Sequence, residues 1–191
     1  MSTSLDHSQV LTRIALHNDQ QAYRLLYETY FDSLYQFAIT YLKSGEQAEE
    51  AVSDVFIKVW KKRAGLLRIK NLKLYLFVST KNTALNYLRK QNKPAIQADS
   101  YRIQLQSVYF DPEQLLITEE MMRRIHGAIL QLPPRCQLIF KLVKEDGLRY
   151  KEVADLLQLS VKTIENQMST ALSRLGKAIQ FDIHSTISSP R

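Results

Sequence analysis

Apolar residues in this chain recur every three or four positions over long stretches and seldom alternate. No other feature constrains the fold as much, because this spacing gathers apolar groups on one side of a helix and gives a strand no continuous buried face. Val10, Leu11, Ile14 and Ala15 fall on one such side. After the polar break at His17, Asn18 and Asp19, a second helix aligns Ala22, Leu25, Leu26, Tyr30, Leu34, Phe37, Ala38, Tyr41 and Leu42, and Lys43, Ser44 and Gly45 end it. Five Gly and five Pro in 191 residues leave these runs largely unbroken. The chain is predicted to be all-α.

A third helix is expected from about Glu46 to Arg63, with Glu46, Glu49 and Glu50 near its start and Lys58, Lys61 and Lys62 near its end, as the helix dipole favours. A fourth runs from about Asn71 to Gln91. Between Lys93 and Pro112 the periodicity fades and RIQLQ alternates, which reads as a linker with room for a short extended piece. Helices return over Glu113 to Leu130 and Pro134 to Glu145, separated by Leu132, Pro133 and Pro134, and Asp146-Gly147 breaks the chain before a final pair. Two small helical domains are expected, 1–93 and 113–181, joined by a flexible linker over 94–112 and followed by a frayed tail over 182–191.

Charge narrows the partners. The net charge is +7, and from Lys58 to Lys93 the chain carries eleven Lys and Arg residues without one Asp or Glu. Such a concentration suits a polyanion. Cys136 is the only cysteine, so no intrachain disulfide forms and a reducing compartment fits. His7, His17, His126 and His184 are scattered, so neither a metal site nor a cofactor is expected. The polar start MSTSLDHSQ lacks a signal core and runs such as LYLFV are too short to span a bilayer, which predicts a soluble cytoplasmic protein without membrane insertion. With no clustered carboxylates, Gly-rich phosphate loop or nucleophile beside a base, the chain is not expected to be an enzyme.

In YKEVADLLQLSVKTIENQMSTALSRL the first helix is expected to bury Val153, Ala154 and Leu157, and Ser160 to cap the second. Val161, Ile164, Met168, Ala171, Leu172 and Leu175 share one face of that second helix. The opposite face collects Lys162, Thr163, Asn166, Ser169, Thr170 and Ser173, with Arg174 at its edge. Short hydroxyls, an amide and a cation on a raised helix suit base edges and phosphates in a major groove. A solvated face of an ordinary bundle has the same pattern.

The fourth helix is expected to bury Leu74, Phe77, Val78, Ala84, Leu85 and Leu88, leaving Tyr75, Ser79, Asn82, Asn86, Arg89, Lys90 and Lys93 outside and Lys81 nearer the apolar side. Cations with an aromatic and two amides suit a phosphate backbone and unstacked bases. On the third helix Ala48, Val52, Val55, Phe56 and Val59 point inward, while Ser53, Ile57 and Trp60 lie beside Glu50 and Asp54. Either Trp60 anchors a protein partner or it closes the bundle core.

Over nearly its whole length the sequence resembles the extracytoplasmic function (ECF) sigma factors of bacterial RNA polymerase. NDQQAYRLLYETY, EQAEEAVSDVFIKVWKK and LYLFVSTKNTALNYLRKQ resemble sigma region 2; LPPRCQLIFKLVKEDGLRYKEVADLLQLSVKTIENQMSTALSRL resembles sigma region 4. The resemblance implies a promoter-specificity subunit that binds core polymerase and performs no covalent chemistry. It implies contact with the polymerase β′ clamp helices through Glu50, Ser53, Asp54, Ile57 and Trp60. It also implies −10 recognition and opening by Leu72 to Arg89 (Tyr75, Ser79, Asn82, Asn86, Arg89, with Lys90 adjoining), and capture of an unstacked base near the loop Ala64 to Lys70. Reading of the −35 element falls to Lys162, Thr163, Asn166, Gln167 and Thr170, supported by Arg149 and Arg174. An anti-sigma factor is a further implied partner.

Two positions depart from the family pattern. Arg149 stands where Ser or Thr often caps the supporting helix, so that cap is expected to be lost, while the guanidinium becomes a candidate for a phosphate. Gln158 replaces the usual turn glycine, at a steric cost if its φ is positive. The rival reading is a conventional helix-turn-helix regulator with an N-terminal sensing domain.

Overall fold

The computed structural model describes residues 7–91 and 119–187, and the chain divides into two compact units, Met1–Ile96 and Gln97–Arg191. The linker expected over 94–112 and the start of the helix expected at Glu113 lie outside the described residues. Among the described residues there are helices and no strands.

The first unit contains α1 (His7–His17), α2 (Gln20–Leu42), α3 (Gly45–Lys61) and α4 (Leu72–Lys90), with a short 3-10 helix over Arg63–Arg68. Each start has a local cause. Asp19 accepts the backbone N–H groups of Gln21 and Ala22 at the head of α2, Ser44 accepts Gln47 N at α3, and Asn71 accepts Leu74 N at α4. Helices α2, α3 and α4 pack against one another, and α1 lies on α2 and the 3-10 helix. Ile14, Leu34, Val52, Leu66, Leu76 and Phe77 are almost completely buried at the centre, where the Phe37 and Phe77 rings meet edge to face at 5.1 Å.

Two inward faces differ from expectation. Leu25 is 39% exposed because α2 turns Ala22 and Leu26 inward instead. On α4 the buried set is Leu72, Leu76, Phe77, Thr80, Thr83, Ala84 and Leu88, while Val78 is 38% exposed and Leu74 and Leu85 are half-buried. The helix is rotated from the expected setting because Thr80 and Thr83 enter the core, and a wheel ranked by hydropathy does not count threonines as core. Where a loop was expected after α3, Leu66 anchors the 3-10 helix instead, closed by Gly65 N to Lys62 O and Ile69 N to Leu66 O.

The second unit contains α5 (Glu119–Leu130), α6 (Pro134–Lys144), α7 (Tyr150–Leu157) and α8 (Val161–Ile187). Pro134 opens α6 as expected, and Gly147 takes φ 65° in the turn before α7. Lys141, only 8% exposed, stands 3.1 Å from Glu145 and 3.6 Å from Asp146, tying the end of α6 to that turn. In α7 the buried residues are Val153, Ala154 and Leu156; Leu157 is half-buried. Helix α8 continues through Ile187, so 182–187 are helical where a frayed tail was expected; no Gly or Pro lies between Lys177 and Ile187 to stop it.

Gln158 ends α7 with φ 57° and ψ 49°, the left-handed setting its place in the turn demands. A side chain with a Cβ costs roughly 1 kcal/mol there, and glycine does not. Replacing Gln158 with Gly is therefore expected to stabilise the second unit by up to about 1 kcal/mol in chemical denaturation, partly offset by the greater freedom of the unfolded chain. A loss of stability would show that the Gln158 side chain contributes more than its backbone strain removes.

Candidate nucleic-acid and protein interfaces

The pair α7–α8 is set by its turn. Ser160 Oγ accepts Thr163 N at 3.0 Å and meets the Thr163 hydroxyl at 2.8 Å, which starts α8 as the sequence predicted. Ile164, Met168, Ala171 and Leu175 then seat the helix, while Val161 and Leu172 of the expected apolar face are 41% and 48% exposed. Both sit at the edge of that face. Opposite lies an exposed polar surface of Lys162, Asn166, Ser169, Thr170 and Ser173. Lys162, Asn166 and Thr170 repeat at intervals of four and line up along the helix. The Thr170 hydroxyl donates to Asn166 O at 2.9 Å, which leaves its acceptor side outward.

Other members of the expected −35 set are differently placed. Thr163 is half-buried and engaged with Ser160. Gln167 is half-buried on the side of α8 facing α6, its backbone oxygen accepting the Cys136 thiol at 3.2 Å; burial raises the pKa of that thiol. Arg174 is exposed, with one N–H reaching Gln131 O at 3.3 Å beyond the end of α5. Arg149 is 82% exposed and ion-paired with Glu152 at 2.9 Å. The hydroxyl cap of α7 is lost as expected, since a guanidinium cannot accept an N–H of the first turn; only the reverse half of a capping box remains, with Glu152 accepting Arg149 N at 2.8 Å.

On α4, Asn82, Asn86, Arg89 and Lys90 are exposed and Tyr75 and Ser79 half-buried. Arg89 donates to the side-chain amide oxygen of Asn86 at 3.4 Å. Lys81 is half-buried and its pKa is lowered by that burial, in keeping with its place near the apolar side; Lys93 lies outside the described residues.

The outer face of α3 presents Glu50 and a half-exposed Ile57, with Ser53, Asp54 and Trp60 half-buried. Trp60 does not enter the core centre. Its ring packs on Tyr23 at 4.8 Å and lies under the Arg63 guanidinium at 4.7 Å. The Tyr23 hydroxyl donates to Phe56 O at 2.6 Å, and burial pushes its pKa up to about 12. Tyr87, which no pattern singled out, crosses from α4 to donate to Asp54 Oδ2 at 3.1 Å, and Lys58 of α3 donates to Thr83 of α4 at 3.3 Å. A shallow depression opens between these side chains, with Asn86 and Arg89 on its wall. Among the described residues no group of His, Cys, Asp and Glu could hold a metal ion, and no helix is long and apolar enough to cross a membrane.

Residues 26–93 match the family described as Sigma-70 region 2, and residues 122–175 match Sigma-70, region 4. The chain is a sigma-70 family sigma factor of the ECF type. As such it binds core RNA polymerase and promoter DNA and directs the start of transcription, which decides against a sensing regulator. The sigma factor is similar to the ECF RNA polymerase sigma-E factor of Escherichia coli (strain K12), at 25% identity over 180 residues, covering 90% of this chain and 94% of the relative. It is also similar to the RNA polymerase sigma-H factor of Pseudomonas aeruginosa, at 22% identity over 188 residues and 94% and 97% coverage. Its fold is similar to that of the sigma factor RpoE in complex with the anti-sigma factor NepR from Bartonella quintana: TM-score 0.50, 23% identity, 85% of this chain and 99% of that one.

Proposed function

We propose that this sigma factor divides its work among three faces. The outer face of α3, through Glu50, Ser53, Asp54, Ile57 and Trp60, docks on the β′ clamp helices. The outer face of α4, through Tyr75, Ser79, Asn82, Asn86, Arg89 and Lys90, engages the −10 element, with the 3-10 helix and its exposed Leu67 beside an unstacked base. In the second unit Lys162, Asn166 and Thr170 read the −35 element, while Thr163, Gln167, Arg149 and Arg174 position the helix or contact phosphate. The subunit performs no covalent chemistry and works in the cytoplasm with the polymerase. An anti-sigma factor is its further partner, and it competes with core polymerase for the chain; simultaneous binding of both would refute that competition.

The observation that carries the −10 assignment is the exposed stripe Asn82, Asn86 and Arg89 beside Lys90, with amides and cations but no acidic side chain. Each phosphate contact releases condensed counterions, so it contributes about 1 to the slope of log affinity against log salt. Arg89→Ala with Lys90→Ala is therefore expected to weaken holoenzyme binding to promoter DNA and to reduce that slope by about 2. An unchanged slope with lower affinity would remove this stripe from the phosphate backbone.

A further inference from the structure

The two proposed faces of the first unit meet along the seam of α3 and α4, and Tyr87 touches both. Its hydroxyl is held by Asp54 of the polymerase face at 3.1 Å. Its ring lies beneath Lys90 of the DNA face, with the ammonium 6.0 Å from the ring centre. The ring is half-buried at a depression it shares with Lys58, Asn86 and Arg89.

We propose that Tyr87 is a positioning residue that couples polymerase binding to −10 DNA binding, by tying the Asp54 carboxylate to the platform under Lys90. An ionised carboxylate offers about four acceptor sites, so a polymerase donor takes the free side of Asp54 while Tyr87 keeps its own bond. A donor that holds Asp54 in this rotamer also holds the Tyr87 ring, and the ring keeps Lys90 aimed along α4 where a phosphate passes. Burial first, and the bond to Asp54 second, push the Tyr87 pKa up to about 12, so the hydroxyl remains a donor across the neutral range. Coupling of two binding free energies is reciprocal: DNA on α4 tightens polymerase binding by the factor that polymerase tightens DNA binding.

This inference rests on the face assignments proposed above, and its test separates the two. The affinity of the full chain for core polymerase is measured with and without a saturating single-stranded oligonucleotide carrying the −10 non-template sequence, for wild type, Tyr87→Phe and Asp54→Asn. The wild type is expected to bind core about fivefold more tightly or better with the oligonucleotide. Tyr87→Phe keeps the ring and loses the hydroxyl, so its ratio should fall close to one while its melting temperature and its core affinity without DNA stay near wild type. Asp54→Asn retains an acceptor for Tyr87 and should keep part of the ratio although its core affinity falls. An unchanged ratio in Tyr87→Phe would overturn the role of Tyr87, as would a variant whose melting temperature and both affinities fall together, because that outcome assigns the residue to packing alone. A wild type that binds core with a ratio of one would overturn the coupling. A chain whose core affinity is untouched by substitutions on the α3 face would overturn the face assignment instead.

Discussion

Exchanging Lys162, Asn166 and Thr170 together for the residues at matching positions of a related sigma factor is expected to move the preferred −35 sequence. The three side chains stand in line on the exposed side of α8, on a helix seated by Ile164, Met168, Ala171 and Leu175, so new side chains there meet DNA without disturbing the core. Each good base contact discriminates by about 1 to 3 kcal/mol, roughly fivefold to 150-fold, whereas a phosphate contact weakens every promoter alike. In vitro transcription from promoters randomised at the −35 element, at fixed salt, reads the difference. Thr163 is left out because its hydroxyl already bonds Ser160 and starts the helix, so its replacement would mix capping with recognition. Lower activity with an unchanged preferred sequence would mean that these residues only position the protein.

Replacing Ile57 with Glu is expected to cut affinity for core polymerase by about 2 kcal/mol or more, thirtyfold upward, because a charge would enter the centre of an apolar contact. The side chain is 50% exposed in the free protein, so stability should change by no more than about 0.5 kcal/mol. Trp60 is a poorer probe of the same surface: its ring packs on Tyr23 and supports Arg63, and truncation would remove both contacts along with any contact to polymerase. Binding of each variant to immobilised core, beside its unfolding curve, separates the two effects. Full core affinity in Ile57→Glu would remove the α3 face from the interface.

Much of the fold was legible because helix starts and stops are short-range events. Ser160 as a cap and Pro134 at a first helical position each follow from a few neighbouring residues, whereas the left-handed setting of Gln158 was suggested only by the glycine usual in the family pattern. The candidate surfaces were legible where exposure follows from helical period alone, as with Asn82 and Asn166. They were less so where a side chain has a competing partner. Arg174 reaching Gln131, 43 residues away, depends on which groups the fold brings near, and spacing is silent about that, whereas Glu152 accepting Arg149 N is a local contact three residues apart.

The sequence by itself determined that the chain is helical, roughly where each helix lies, that cations gather between Lys58 and Lys93, and that the two sigma motifs stand in order. These depend on local spacing and composition. Tertiary structure alone decided how α4 is rotated, since Thr80 and Thr83 go in and Val78 comes out only once α2 and α3 are packed beside it. It also decided that Trp60 lies between Tyr23 and Arg63, and that Tyr87 reaches Asp54 across a separation of 33 residues. A helix's own period orders its side chains around the axis, but which of them faces a neighbour depends on where distant helices come to rest, and no local pattern encodes that.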